Sequence, residues 1–141
     1  MVQKLTQSLE DYLEAILYIE KEKRVARVKD IAGALKVQMP SVTGAVRILK
    51  EKGLVDYEKN SYITLTSSGM KIAKSIYNKH QIVQRFLAEI LMVKNDEAEE
   101  IACQIEHAMP GSIAARLESF TDFALSEKFS LQLFKNNLAD D

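Results

Sequence analysis

Tryptophan is absent from this 141-residue sequence, cysteine occurs once, proline and histidine twice each, and glycine five times. A single cysteine cannot close an internal disulfide, so a buried core must hold the fold, as suits a reducing cytoplasm. So few prolines and glycines leave long stretches open to helix. No uncharged apolar run approaches the roughly 18 residues a membrane helix needs, and Met1 to Thr6 lack the apolar stretch of a secretory signal; neither span nor export is expected. Net charge is also scarce, at −1. That argues against a non-specific nucleic-acid coat. It leaves room for a sequence reader, because residues 1 to 60 carry +2 and residues 61 to 141 carry −3.

What is present is ordinary globular material, 47% hydrophobic and 28% charged, arranged in helical periods. Ser8 reads as the cap of a first helix from about Leu9 to Glu22, whose apolar residues Leu9, Tyr12, Leu13, Ile16 and Leu17 recur at helical spacing. Val28 to Leu35 is a short second helix. Met39-Pro40 opens a third, with Val42, Val46, Ile48 and Leu49 as its buried side and Gly53 as its stop. Val55 to Glu58 and Tyr62 to Thr66 alternate like two strands around the polar turn Lys59-Asn60-Ser61. A long fourth helix, capped by Thr66-Ser67-Ser68, is expected to reach Leu91, a fifth to run from Asn95 to before Pro110, a sixth from Ser112 to Leu125, and the tail to add one more. The fold is therefore predicted as mainly α: a winged helix-turn-helix with a small hairpin wing (1–70), then an all-helical dimerisation domain (71–141). Phe86, Leu87, Ile90, Leu91, Ile113, Leu117 and Phe120 are more apolar surface than the second half can hide alone, which predicts a homodimer.

A helix-turn-helix reads DNA with the start of its second helix, where short side chains let the backbone approach the base edges. Pro40, Ser41, Thr43 and Gly44, with Gln38 just before them, fit that use. Lys29, Arg47, Lys50, Lys52 and Lys59 are placed to neutralise phosphates, which positions the domain without specifying sequence. The competing reading is a winged domain that docks another protein.

The other constellation is chemical. Asp11 and Glu14 are three apart; Cys103, Glu106 and His107 stand at i, i+3 and i+4; His80 lies between. Such offsets place side chains on one helix face, and three arcs of donors can converge on one ion. Both histidines and the only cysteine fall in this set. Carboxylate and imidazole suit Mn²⁺ and Fe²⁺, whereas thiolate favours softer ions. Taken singly, each has a structural explanation: Asp11 as a first-turn charge, His80 as a half-buried polar residue, Cys103 as a small core residue.

The opening Ser8-Leu9-Glu10-Asp11-Tyr12-Leu13-Glu14-Ala15-Ile16, the Lys79-His80 pair, and Cys103-Gln104-Ile105-Glu106-His107-Ala108-Met109, in that order, resemble the diphtheria toxin repressor family of metal-dependent transcriptional regulators. The similarity runs from about residue 8 to 125. It implies a homodimer, activated by Fe²⁺ or Mn²⁺, that binds a double-stranded operator of two-fold symmetry and represses metal-uptake genes. By position, ligand roles fall to Asp11, Cys103, Glu106 and His107, with Glu14 and His80 as further ligands. The family's iron branch generally has Met at the position of Asp11, while its manganese branch has Asp there and Glu at the position of Cys103. The iron branch also usually places His and Glu, for a second ion, where Glu99 and Gln84 stand; Glu99 can still coordinate. The chain resembles the short, two-domain members typical of the manganese branch. The alternatives are a winged-helix regulator answering a non-metal ligand and a metal hydrolase; no glycine-rich phosphate loop or nucleophile motif supports the latter.

Overall fold

The computed structural model describes residues 4–58, 61–126 and 130–138, and the chain divides into two compact units, Met1–Ile76 and Tyr77–Asp141. In the first unit, α1 (Gln7–Lys23) starts at Thr6, whose backbone is extended and whose Oγ1 accepts from Leu9 N at 3.2 Å. Ser8, the expected cap, lies inside the helix; the extended residue, where the backbone turns into the helix, is Thr6. α1 buries Tyr12, Leu13, Ala15, Ile16, Leu17 and Ile19. It ends at Arg24, which takes a positive φ of 70°.

α2 (Val28–Leu35) begins where Asp30 accepts from Arg27 N at 3.2 Å and closes through the left-handed Lys36. After this tight turn, α3 (Met39–Glu51) carries Pro40 in its first turn, where no N–H is needed. Its inner face is Val42, Ala45, Val46 and Leu49; Ile48, expected inside, is 44% exposed, because Ala45 and Leu49 complete the i, i+3, i+4, i+7 stripe without it. Strands β1 (Val55–Tyr57) and β2 (Ile63–Leu65) pair antiparallel in the register Val55 to Leu65 and Tyr57 to Ile63. They are shorter than predicted, and Ala26 adds an isolated bridge to Ile63. Leu13, Ile16, Leu17, Ile31, Leu49 and Ile63 are fully buried here, each worth roughly 1.5–3 kcal/mol.

α4 (Ser67–Arg85) is capped by Thr66, whose Oγ1 accepts from Gly69 N at 3.1 Å and donates to Gly53 O at 2.7 Å. The predicted single helix to Leu91 passes instead into a π-helical turn, Phe86–Ile90. α5 (Asn95–Ile105), α6 (Gly111–Leu125) and α7 (Leu131–Asn136) follow. In the second unit, small buried residues, Ala98, Ala102, Ala114, Thr121 and Ala124, let helices approach closely. Arg85 bonds Asp122 at 2.7 Å and Glu89 at 3.1 Å, and Phe86 meets Phe120 edge to face at 6.4 Å. Of the apolar residues expected on a dimer surface, Ile113 and Phe120 are exposed, whereas Ile90 is buried within the second unit. Among the described residues no helix is long and apolar enough to cross a membrane.

Candidate DNA-reading face and metal centre

The start of α3 presents Gln38, Pro40, Ser41, Gly44 and Arg47 to solvent, so the predicted reading residues share one exposed helix end. Thr43 is half-buried, and its Oγ1 donates to Met39 O at 3.2 Å. Lys29 is exposed at the start of α2. Lys50 has a structural bond that the sequence did not announce: Nζ donates to Tyr57 O at 2.6 Å, tying α3 to the wing. Lys59 lies outside the described residues. Arg27 and Tyr62, not singled out by sequence, stand beside this face in cation–π contact at 5.1 Å. The only sequence cue was an arginine just ahead of a helix and an aromatic on the outer side of a strand.

The predicted donors come from both units. On α1, Asp11 and Glu14 are half-buried, and each offers a carboxylate oxygen within 4.8 Å of the other. In the second unit, Glu106 is the centre of the arrangement. It caps the C-terminus of α5, which stops at Ile105 rather than just before Pro110, as the turn tightens through Ala108 N to Ile105 O at 3.0 Å. Its side chain is 1% exposed; Oε2 sits 2.8 Å from His80 Nδ1 and Oε1 3.3 Å from His107 Nε2. Cys103 Sγ is 3.7 Å from that same His80 nitrogen. The Glu106 hydrogen bond, opposed by burial and helped by the charges of Glu106 and Glu99, raises the His80 imidazole above its ordinary pKa. Glu99 is exposed and acts on His80 only through its charge.

Such a set fits a divalent cation. A buried carboxylate costs several kcal/mol unless positive charge and hydrogen bonds compensate it. Yet Glu106 Oε1 accepts no hydrogen bond among the described residues. An oxygen buried without a donor, beside the His107 imidazole, is an environment that a metal ion completes.

Comparison with known proteins agrees. Residues 4–62 match the domain described as "Iron dependent repressor, N-terminal DNA binding domain", and residues 66–127 match "Iron dependent repressor, metal binding and dimerisation domain". The chain belongs to the iron-dependent repressor family. The repressor is 38% identical to an HTH-type transcriptional regulator of Methanocaldococcus jannaschii over 84% of its own length and 95% of that protein's. It is 36% identical to the transcriptional regulator MntR of Bacillus subtilis, over 84% and 82% of the two chains. Among solved structures it resembles a manganese-dependent transcriptional repressor in complex with manganese, with TM-score 0.75, 28% identity, and coverage of 82% of this chain and 53% of that one. It also resembles IdeR of T. acidophilum, with TM-score 0.73, 26% identity, and coverage of 86% and 56%. The repressor thus spans little more than half the length of these solved chains. The resemblance seen in the sequence motifs holds: this is a metal-dependent transcriptional repressor with a DNA-binding half and a metal-binding, dimerising half.

Proposed function

We propose that the repressor holds its ion through Asp11, Glu14, His80, Cys103, Glu106 and His107, with Glu99 available to a second ion. As a cytoplasmic homodimer it then binds an operator of two-fold symmetry ahead of metal-uptake genes. It acts by binding, not catalysis. The observation that carries this reading is Glu106, buried between two imidazoles with Oε1 lacking a hydrogen-bond donor. A bound ion would add positive charge at Glu106 Oε1, where no hydrogen-bond donor stands. Glu106 positions His80, while His107 and Cys103 add donors from the same helix end. Because Asp11 and Glu14 stand on the helix that packs against α2 and α3, their ligation makes ion binding and DNA binding linked equilibria. The link can be only as strong as the ion's preference for the DNA-competent arrangement, typically about 1–3 kcal/mol, or roughly 5- to 150-fold in affinity.

The test is mobility of the gene's own promoter duplex and of random duplex, anaerobically, with and without Fe²⁺ or Mn²⁺. Metal-independent binding of both duplexes would remove the sensing role. In the same assay, Ser41→Ala is expected to lower operator affinity by roughly 1–3 kcal/mol while sparing random DNA, since base contacts discriminate and phosphate contacts do not. Thr43→Ala is expected to act in the same direction. An unchanged ratio of operator to random affinity in both variants would show that the start of α3 is not the reader.

The choice of ion follows from a mixed donor set. Asp11 and Glu14 are hard oxygen ligands and Cys103 a soft one, so both Fe²⁺ and Mn²⁺ are expected to activate. Cys103→Glu should shift activation towards Mn²⁺ and Asp11→Met towards Fe²⁺, read as the ratio of half-activating concentrations in anaerobic titrations. Ratios left at the wild-type value in both variants would take these two residues out of the selective set.

A further inference from the structure

Beside the exposed start of α3 lies a cleft of about 600 Å³, lined by Arg27, Val28 and Lys29 at the start of α2, Met39 and Thr43 of α3, and the wing residues Tyr57, Ser61 and Tyr62. Its geometry begins with backbone pairing. Ile63 N donates to Ala26 O at 2.8 Å, which sets residues 26 and 63 opposite each other and so brings the neighbouring Arg27 and Tyr62 side by side. The Arg27 guanidinium lies 5.1 Å from the Tyr62 ring centroid, and its Nη2 donates to Tyr62 Oη at 3.3 Å. Both side chains are exposed.

The acid bonded to the Arg27 backbone is engaged elsewhere. Asp30 accepts from the Arg27 backbone N–H at 3.2 Å and from Lys23 Nζ at 3.3 Å, so its carboxylate is turned to the helix cap and to another cation. No carboxylate lines the cleft among the described residues, whereas a second cation, Lys29, does, together with the hydroxyls of Tyr57, Ser61 and Tyr62. A guanidinium has five N–H donors in one plane, and stacking covers its face while leaving most of its edge. A stacked arginine therefore keeps a bidentate fork ready at reduced entropic cost, and that fork matches two phosphate oxygens.

We infer that Arg27, held against Tyr62, is an anchor for a DNA phosphodiester flanking the groove that α3 enters, and that Tyr62 is its positioning residue. The inference rests on the DNA-reading role of α3 and adds a fixed point on the strand beside it. The stacked arginine sets where the backbone lies, and with it the depth at which Ser41 and Thr43 meet the bases. Met39 and Val28 offer apolar contact to the sugars on the same stretch.

The experiment measures anisotropy of two labelled duplexes, one of random sequence and one selected by repeated binding to the wild-type protein, in Mn²⁺ over a series of KCl concentrations. Wild-type binding to the selected duplex tests the reading on which the inference rests; the variants test the inference itself. Arg27→Ala is expected to weaken both duplexes alike, by about five- to tenfold, and to lower the slope of log affinity against log salt by about one per subunit. Arg27→Lys should keep the slope and lose part of the affinity, because it retains the charge and lacks the fork. Tyr62→Ala should weaken binding by roughly threefold with the slope intact, and Tyr62→Phe, which keeps the ring, should stay within about twofold of wild type. A wild-type salt slope in Arg27→Ala, with the wild-type protein binding normally, would overturn the inference and leave the pair as a tether of the wing. Circular dichroism of each variant confirms that the fold survives these exposed changes.

Discussion

His107→Ala is expected to abolish metal-dependent DNA binding while leaving the metal-free fold in place. The residue follows Glu106, the C-cap of α5, with its side chain 5% exposed and Nε2 3.3 Å from Glu106 Oε1. Its loss removes an imidazole donor from the most buried part of the centre. Removing even an outer partner of a ligand typically lowers ion affinity about 10- to 100-fold, so losing a ligand should cost more than roughly 100-fold. The measurement is a Mn²⁺ titration of operator anisotropy, paired with the rise in melting temperature that Mn²⁺ produces by binding the native state. Glu106→Gln sharpens the comparison. Without metal this carboxylate meets His80 through Oε2 and lacks a donor on Oε1, so the amide, which keeps one acceptor for His80 and removes the buried charge, should leave the metal-free protein folded. With metal it should lose the stabilising response. Were His107→Ala to bind operator with wild-type Mn²⁺ dependence, the donors would return to structural roles and the ion would have to sit elsewhere.

The parts of this molecule that were legible in sequence are those set by local chemistry. α3 opens with Pro40 in its first turn and stops before Gly53, because such residues act over three or four positions, whereas the Asp30 cap and the left-handed Lys36 that bound α2 emerge only in the structure. The first cap was misplaced by two residues, since Thr6 and Ser8 are chemically equivalent and only the extended backbone at Thr6 decides between them. The π turn left no trace in composition: one extra residue in a helical turn changes the backbone bonding without changing residue type. The candidate donors stand out in the sequence for the same reason as the helices, through spacing within one element. What spacing could not give was the central place of Glu106. Its partner His80 is 26 residues away, and the bond between them depends on α4 packing near the end of α5. Lys50 illustrates the converse, a cation whose sequence position suggested phosphate and whose nearest acceptor is the wing carbonyl of Tyr57.

Gly69→Ala is expected to be strongly destabilising, for of the five glycines it alone would bring its new Cβ against other atoms. A Cβ at this position in the first turn of α4 would overlap the Leu54 carbonyl oxygen and lie 2.9 Å from its carbonyl carbon, so a backbone, not a flexible side chain, stands in the way. That backbone is pinned on both sides. Leu54 N donates to Leu49 O at 2.9 Å, Leu54 O accepts from Thr66 N at 3.1 Å, and Thr66 Oγ1 joins Gly53 O to Gly69 N. Making room therefore means giving up the cap of α4 or the link between the end of α3 and β1. Overpacking of this kind costs at least about 2 kcal/mol, which for a unit of this size lowers the melting temperature by roughly 8 °C or more. Gly33→Ala is the control. It also adds a methyl to a helical glycine, but nothing lies within 4 Å of the new atom, so it should stabilise by up to about 1 kcal/mol. Because Leu54 leads directly into β1, the damaged variant should also bind both operator and random duplex more weakly, the wing having shifted from its place beside α3. Thermal unfolding followed by circular dichroism separates the two glycines. If Gly69→Ala melted at or above the wild-type temperature, the start of α4 would have to stand farther from Leu54 than it does here, and the tight junction between reading helix, wing and α4 would lose its basis.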